Sequence, residues 1–356
     1  MNYVLIKNRE FPEIDFLRFI AILFVVIFHF TSRRAGLLPY GDWVNRFPWD
    51  TGWVGVNLFF LISGFIIAHS LNNCKTPKEF IIRRLTRIYP TLWLVLPIVF
   101  LASRYVPYSI FNTSANLSNL VISMILLPPS ILGEITNQNL NWITVVLWSL
   151  KVEVIFYFFC YLLFKIFGPI FMIARLIQSC IILSLIYLGA SYSNNSTLET
   201  LANVIEGLGF DYLPWFVIGV IFYSFKSNKL NLYSGVVMFS TLALFIEFRK
   251  QENFTDLLSL VFIIFLFGAS MGQKIPKFIS STFFQRIGQS SYEMYLIHQG
   301  VGFPIIYFII TRLNLSNIQS FSIMIFVTTL LFMLSILLFR YTTKVNSMAR
   351  RFLLKL

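Results

Sequence analysis

Apolar stretches long enough to cross a bilayer recur ten times along this chain, at roughly 14–31, 53–71, 88–104, 142–164, 170–190, 212–225, 232–248, 257–272, 291–311 and 319–340. A helix needs about 20 apolar residues to cover about 30 Å of hydrocarbon. In lipid, every backbone polar group must be satisfied inside the protein. The pattern therefore predicts an all-α fold, a polytopic membrane helix bundle of about ten transmembrane helices. Composition agrees: 57% of residues are hydrophobic and 12% charged, against about a quarter charged in soluble domains. An eleventh apolar stretch, "LSNLVISMILLPPSIL" at 117–132, is cut short by Pro-Pro and reads as re-entrant or interfacial.

Charge placement gives an expected orientation. The formal net charge is +13, but the basic residues fall between apolar segments, so the bilayer and not nucleic acid is the expected partner. Ten spans with the N-terminus inside put nineteen Lys and Arg on the cytoplasmic side and seven outside. That bias predicts a multi-pass protein of the bacterial cell membrane with both termini cytoplasmic. The stretch 191–211 has three acids and no base, and fits an outside loop. Asp15 and Arg18 interrupt the first apolar run, and no small-residue cleavage site follows it, so it reads as a retained helix. With no repeat or low-complexity segment, and 16 residues after the last apolar stretch, one domain over 1–356 with no appended soluble domain is expected. Three widely spaced cysteines, without a CxxC, suggest neither a disulfide framework nor a zinc site.

The informative residues are the ionisable ones inside apolar segments, because such groups normally face a bundle interior and mark a functional path. "IDFLRFIAILFVVIFHF" (14–30) carries Asp15, Arg18 and His29. At about 100° per residue Arg18 and His29 share a face, about 16 Å apart along the axis, and Asp15 is an i,i+3 partner of Arg18. A snorkelling ion pair and an outer cap are the plainer alternative for this stripe. "FIIRRLTRIYP" (80–90) presents Arg83, Arg84 and Arg87, whose planar forks suit phosphate; a positive-inside anchor is the competing reading. "LWSLKVEVIFYFF" (147–159) places Lys151 and Glu153 on different faces, so each needs its own partner. "GQSSYEMYLIHQ" (288–299) gathers Glu293, Tyr295 and His298 near the inner side, where a cofactor could come in from the cytoplasm. The three histidines, His29, His69 and His298, are expected at different depths. No HxxxH or HExxH spacing occurs, so no metal is expected.

Taken in order, "IDFLRFIAILFVVIFH", "GVNLFFLISGFII", "FIIRRLTRIYP", "WSLKVEVIFY" and "SSYEMYLIHQ" resemble the acyltransferase-3 family of bacterial integral-membrane O-acyltransferases. The resemblance implies transfer of an acyl group, usually acetyl, from cytoplasmic acyl-CoA to a hydroxyl of a cell-surface or lipid-linked glycan. No permanently bound cofactor is implied; acetyl-CoA acts as co-substrate, and envelope-assembly proteins are possible partners. Arg18 and His29 match the family's Arg-ten-His signature, associated with catalysis. Arg84 and Arg87 match its Arg-x-x-Arg pair, associated with CoA. Glu153 matches the acid after Trp-Ser-Leu, and Tyr295 with His298 the late Tyr-x-x-His.

These strands combine into one expectation. His29 is the general base, supported by Arg18, Asp15 and Glu153, and Arg83, Arg84, Arg87, Tyr295 and His298 handle CoA. Direct attack by the glycan hydroxyl and a transient acyl-enzyme on His29 both remain open. The alternative function is a proton-coupled transporter or flippase of an envelope precursor, with Asp15, Glu153 and the histidines as a proton relay.

Overall fold

A computed structural model describes residues 11–106, 112–193, 195–227, 233–251, 254–271, 279 and 281–356. Of the expected cytoplasmic bases, Lys7, Arg9, Lys229, Lys274 and Lys277 lie outside these residues, as do positions 232 and 272 at two span ends. Among the described residues every regular element is helical. The principal helices are α1 (Pro12–Phe30), α2 (Val54–Asn73), α3 (Pro77–Tyr105), α4 (Leu117–Ile125), α5 (Pro129–Thr136), α6 (Leu147–Ser191) and α7 (Ser196–Leu208). They continue with α8 (Leu213–Lys226), α9 (Tyr233–Gln251), α10 (Phe254–Ser270), α11 (Thr282–Gln289), α12 (Ser291–Ile297), α13 (Phe303–Leu313) and α14 (Asn317–Leu353). A π-helical segment, His298–Gly302, joins α12 to α13.

Each of the ten predicted stretches is occupied by helix. Among the described residues, five helices are long and apolar enough to cross a membrane: α2, α3, residues 171–191 of α6, the run from α12 through α13, and α14. The pair α7–α8, bent by 71°, makes a sixth if counted as one span. This is a multi-pass membrane helix bundle. α1 carries three charges, Glu13, Asp15 and Arg18, within 19 residues, and holds them inside the protein: Glu13 and Asp15 are each 1% exposed.

Local chemistry sets the helix ends. Thr76 Oγ1 accepts from Glu79 N (3.1 Å) while Glu79 Oε2 accepts from Lys75 N, so α3 starts with side chains satisfying its first amides. Ser316 and Gln319 form a capping box at the start of α14. Residues 117–132 form two short helices, α4 and α5, separated at Leu126, which is left-handed (φ 56°). The nine residues of α4 rise only about 14 Å and cannot span.

The predicted spans 142–164 and 170–190 are two helices that meet at a kink at Gly168 (φ 70°), directly before Pro169. Glycine takes this φ freely and proline lacks the N–H that would continue the ladder, so the chain kinks there. The stretch 191–211 is not a plain loop but contains α7, capped by Asn195 and ended by left-handed Gly209. Lys151 reaches it, donating from Nζ to Gly207 O (2.5 Å).

α2 and α8 form the centre. A Cβ on Gly64 would sit 1.9 Å from Phe216 O, and one on Gly219 would sit 2.0 Å from Leu61 O. The two backbones therefore touch reciprocally, the close approach that small residues allow in membrane packing. α1 docks beside them through Gly55, whose Cβ would meet Ala21 O at 2.5 Å. Most of α14's large apolar side chains are exposed, among them Ile325, Phe326 and Met333, as suits a helix facing lipid.

Candidate active site

The site begins with α1. Arg18 Nη1 donates to Asp15 Oδ1 (3.2 Å), the i,i+3 pair expected from spacing. Asp15 Oδ2 accepts from Gln289 Nε2 (3.0 Å) at the end of α11. Gly288 permits that approach, since its Cβ would fall 1.8 Å from Asp15 O. Asp15 thus fixes Arg18 from behind while α11 fixes Asp15. Glu13 pairs with Lys226 of α8 one turn below.

Arg18 faces a narrow cavity of about 60 Å³ between α1, α2, α3, α6 and α12. Its polar lining includes Arg18, Arg87, Glu153, Ser63, Tyr292 and Tyr295. Four helices each bring a predicted residue here: Arg18 from α1, Arg87 from α3, Glu153 from α6 and Tyr295 from α12. Glu153 Oε1 accepts from Ser63 Oγ (2.6 Å) and from Tyr157 OH (2.5 Å). It therefore has partners separate from those of Lys151, as their two-residue spacing requires. Arg87 lies in the fields of both Glu153 and Glu293. Tyr295 OH donates to Val146 O (3.0 Å) and lies 2.7 Å from Ser149 Oγ, while Tyr292 OH donates to Ile88 O (3.1 Å). These phenols seat α12 between α6 and α3.

A second layer sits beyond the cavity. His29 Nδ1 lies 2.8 Å from Val25 O, and His298 Nδ1 lies 2.8 Å from Tyr295 O. A carbonyl only accepts, so each Nδ1 carries a proton and each Nε2 a lone pair. The two rings meet edge to face with centroids 5.0 Å apart. His298 is fully buried, and its Nε2 has no partner among the described residues. It opens the π-helical segment, a local widening often found at functional sites. Gly300 and Gly302 let this segment approach its neighbours: Cβ atoms there would lie 2.4 Å from Val99 and 2.4 Å from Leu331. The Tyr295 ring links the layers, lining the cavity and lying 5.6 Å from the His298 ring.

The structure redistributes two predicted groups. His298 was expected near the inner side as a CoA-handling residue; its ring packs against that of His29 and does not line the cavity. The three arginines do not form one clamp. Glu79, one turn before it, captures Arg83 (Nη2–Oε1 2.6 Å) and holds it away from the cavity. Arg84 turns toward Tyr157, its guanidinium carbon 5.9 Å from that ring's centroid. Only Arg87 enters the cavity. Sequence reasoning missed Ser63 and Tyr157 as the carboxylate's donors. A lone small polar residue beside Gly64 in the most apolar part of α2 was the available signal.

Comparison with known proteins follows this geometry. The sequence matches the family described as an acyltransferase domain, acyltransferase-3, over residues 11–340. The chain is 29% identical over 121 residues to the peptidoglycan O-acetyltransferase OatA of Listeria monocytogenes serovar 1/2a, a match covering 32% of this chain and 16% of that protein. It is 32% identical over 99 residues to the Staphylococcus aureus (strain COL) protein named "Putative O-acetyltransferase SACOL0978", covering 26% of this chain and 14% of that one. In these matches the chain spans less than a fifth of its relatives' length. No solved structure matches the chain. Because the family match runs through nearly all the helices described, the protein belongs to the acyltransferase-3 family.

Proposed function

We propose that the protein transfers an acetyl group from cytoplasmic acetyl-CoA to a hydroxyl of a cell-surface or lipid-linked glycan, across the bacterial cell membrane. In this reading ten helical segments cross the bilayer, both termini are cytoplasmic, and the chain forms one catalytic domain. Family membership and two relatives named as O-acetyltransferases support the transfer chemistry. The listerial relative's name supports a glycan acceptor.

The observation that carries the mechanism is the fixed tautomer of His29. Its Nδ1 proton is held by Val25 O, so Nε2 is the basic nitrogen. His29 Nε2 takes the acceptor's O–H proton as the oxygen attacks the thioester carbonyl. The C–S bond then breaks, and the departing thiolate takes the proton back from the imidazolium. Nothing is left on the enzyme. His298 beside it excludes water and holds a second lone pair in the same layer. Arg18 and Arg87 supply positive charge at the cavity, on the side from which the thioester arm would approach His29, and the Glu153 carboxylate offsets part of the Arg87 charge. The Arg18–His29 separation of about 16 Å on a continuous helix suits the length of a pantetheine arm.

The test is to express His29→Ala and Arg18→Ala at wild-type levels and measure O-acetylation of the surface glycan by NMR. Loss of acetylation in both is expected. Normal acetylation in both would refute the assignment.

A further inference from the structure

One corner of the bundle carries arginine chemistry that the cavity does not use. Arg83 Nε, Arg84 Nε and Nη1, and Arg350 Nε are buried without an acceptor, and no other arginine has such a nitrogen among the described residues. The length of α14 explains how Arg350 arrives there. Its 37 residues rise about 55 Å, against about 30 Å of hydrocarbon, so its last turns project past the membrane-spanning length. There α14 runs antiparallel to the start of α3. Asn346 Nδ2 donates to Thr91 Oγ1 (3.1 Å), and further along both helices Arg350 lies in the field of Arg83. Thr342, Asn346 and Arg350 follow at i, i+4 and i+8, so they form the stripe that faces inward. Arg351, one residue on, is exposed.

Two guanidinium groups close together repel, and the Glu79 carboxylate is already held by Arg83 and Lys75 N. Arg350 makes no ion pair with the described residues. Each of the two guanidiniums keeps an Nε–H without an acceptor, and such donors match the oxygens of a phosphate, which accepts from two guanidiniums at once. We propose that Arg350 of α14 and Arg83 of α3 together form a phosphate-binding site at the inner rim of the bundle. The ligand group is a phosphate, borne by the nucleotide end of CoA or by an anionic lipid headgroup. The CoA source rests on the donor proposed above; the phosphate site does not.

The experiment uses the full chain in phosphatidylcholine nanodiscs, with CoA as one probe and added phosphatidylglycerol as the other. Binding is measured for wild type, Arg350→Ala, Arg350→Lys and Arg351→Ala, with melting temperature as the folding control. Loss of a charge-assisted contact predicts about tenfold weaker binding or more in Arg350→Ala. Arg350→Lys, which keeps the charge without the fork, is expected between the two, and Arg351→Ala at wild-type affinity. If Arg350→Ala fails to fold, a weakened Arg350→Lys still supports the site. An effect on CoA identifies the donor as the source. An effect on phosphatidylglycerol alone supports the site while removing support for the donor reading. Equal binding of both probes by wild type and Arg350→Ala overturns the proposal, as does wild-type protein that binds neither.

Discussion

Substituting Gly64 by alanine should damage a site that residue 64 does not touch. The new Cβ would lie 1.9 Å from Phe216 O, where 3.0 Å is the shortest distance real Cβ atoms show. α2 and α8 must therefore part by about 1.1 Å. Neither side of the contact can yield by rotating a side chain, because the opposing atom is backbone. Overpacking of this kind costs about 1–3 kcal/mol. The neighbouring Ser63 Oγ, 2.6 Å from Glu153 Oε1, would be drawn to the edge of hydrogen-bonding distance. Weakening a contact to a charged group adds up to about 1.5–3 kcal/mol. The expected total is a loss of at least about 2 kcal/mol of unfolding free energy, with glycan acetylation reduced in protein that remains folded. Gly64→Ala with Gly219→Ala should cost less than the sum of the two, since one separation relieves both clashes. Denaturant unfolding in detergent micelles measures the first quantity and acetylation of the surface glycan the second. A Gly64→Ala protein within about 0.5 kcal/mol of wild type and fully active would refute the argument that the two backbones are in contact.

Two further outcomes follow from single contacts. Lys151→Met removes the ammonium that donates a hydrogen bond to Gly207 O and should loosen α7 selectively, seen as faster hydrogen exchange over 196–208, while acetylation changes less than it does in His29→Ala. His298→Asn keeps a donor for Tyr295 O in the place of Nδ1 but deletes Nε2 and the ring edge against His29, so it should fold normally and acetylate less than wild type but more than His29→Ala; wild-type acetylation in that variant would refute a role for the His298 ring beside the base.

What was legible in the sequence was what one helix decides alone. The Asp15–Arg18 pair, the shared face of Arg18 and His29, and the separate partners of Lys151 and Glu153 all follow from 3.6 residues per turn. The ten apolar stretches likewise correspond to helices, because length and hydropathy are local. Relations between helices were not legible. Nothing in the spacing of His29 and His298, on α1 and at the end of α12, says that their rings meet. The π-helical segment hid in "HQGVG", where two glycines in an apolar run were the only sign that neighbours approach closely. Arg83 is a different case. The i,i+4 spacing of Glu79 and Arg83, inside a Thr-x-x-Glu cap, is a local signal for their ion pair.

α14 has a consequence for the whole site. On one continuous helix, Leu331 meets Gly302 beside the histidine layer, and Thr342 Oγ1 donates to Glu293 Oε1 (2.5 Å) beside the arginine layer. Those two contacts are eleven residues apart, the same interval that separates Arg18 from His29 on α1. Two rigid rods on opposite sides of the site thus carry one gauge length, about 16 Å. Substitutions on the lipid face of either rod leave that gauge alone. Deleting one residue between the two marks would shorten it by about 1.5 Å and rotate everything beyond by about 100°, so the two layers would no longer face each other. The spacing of the two layers is set twice, and the two copies have to agree.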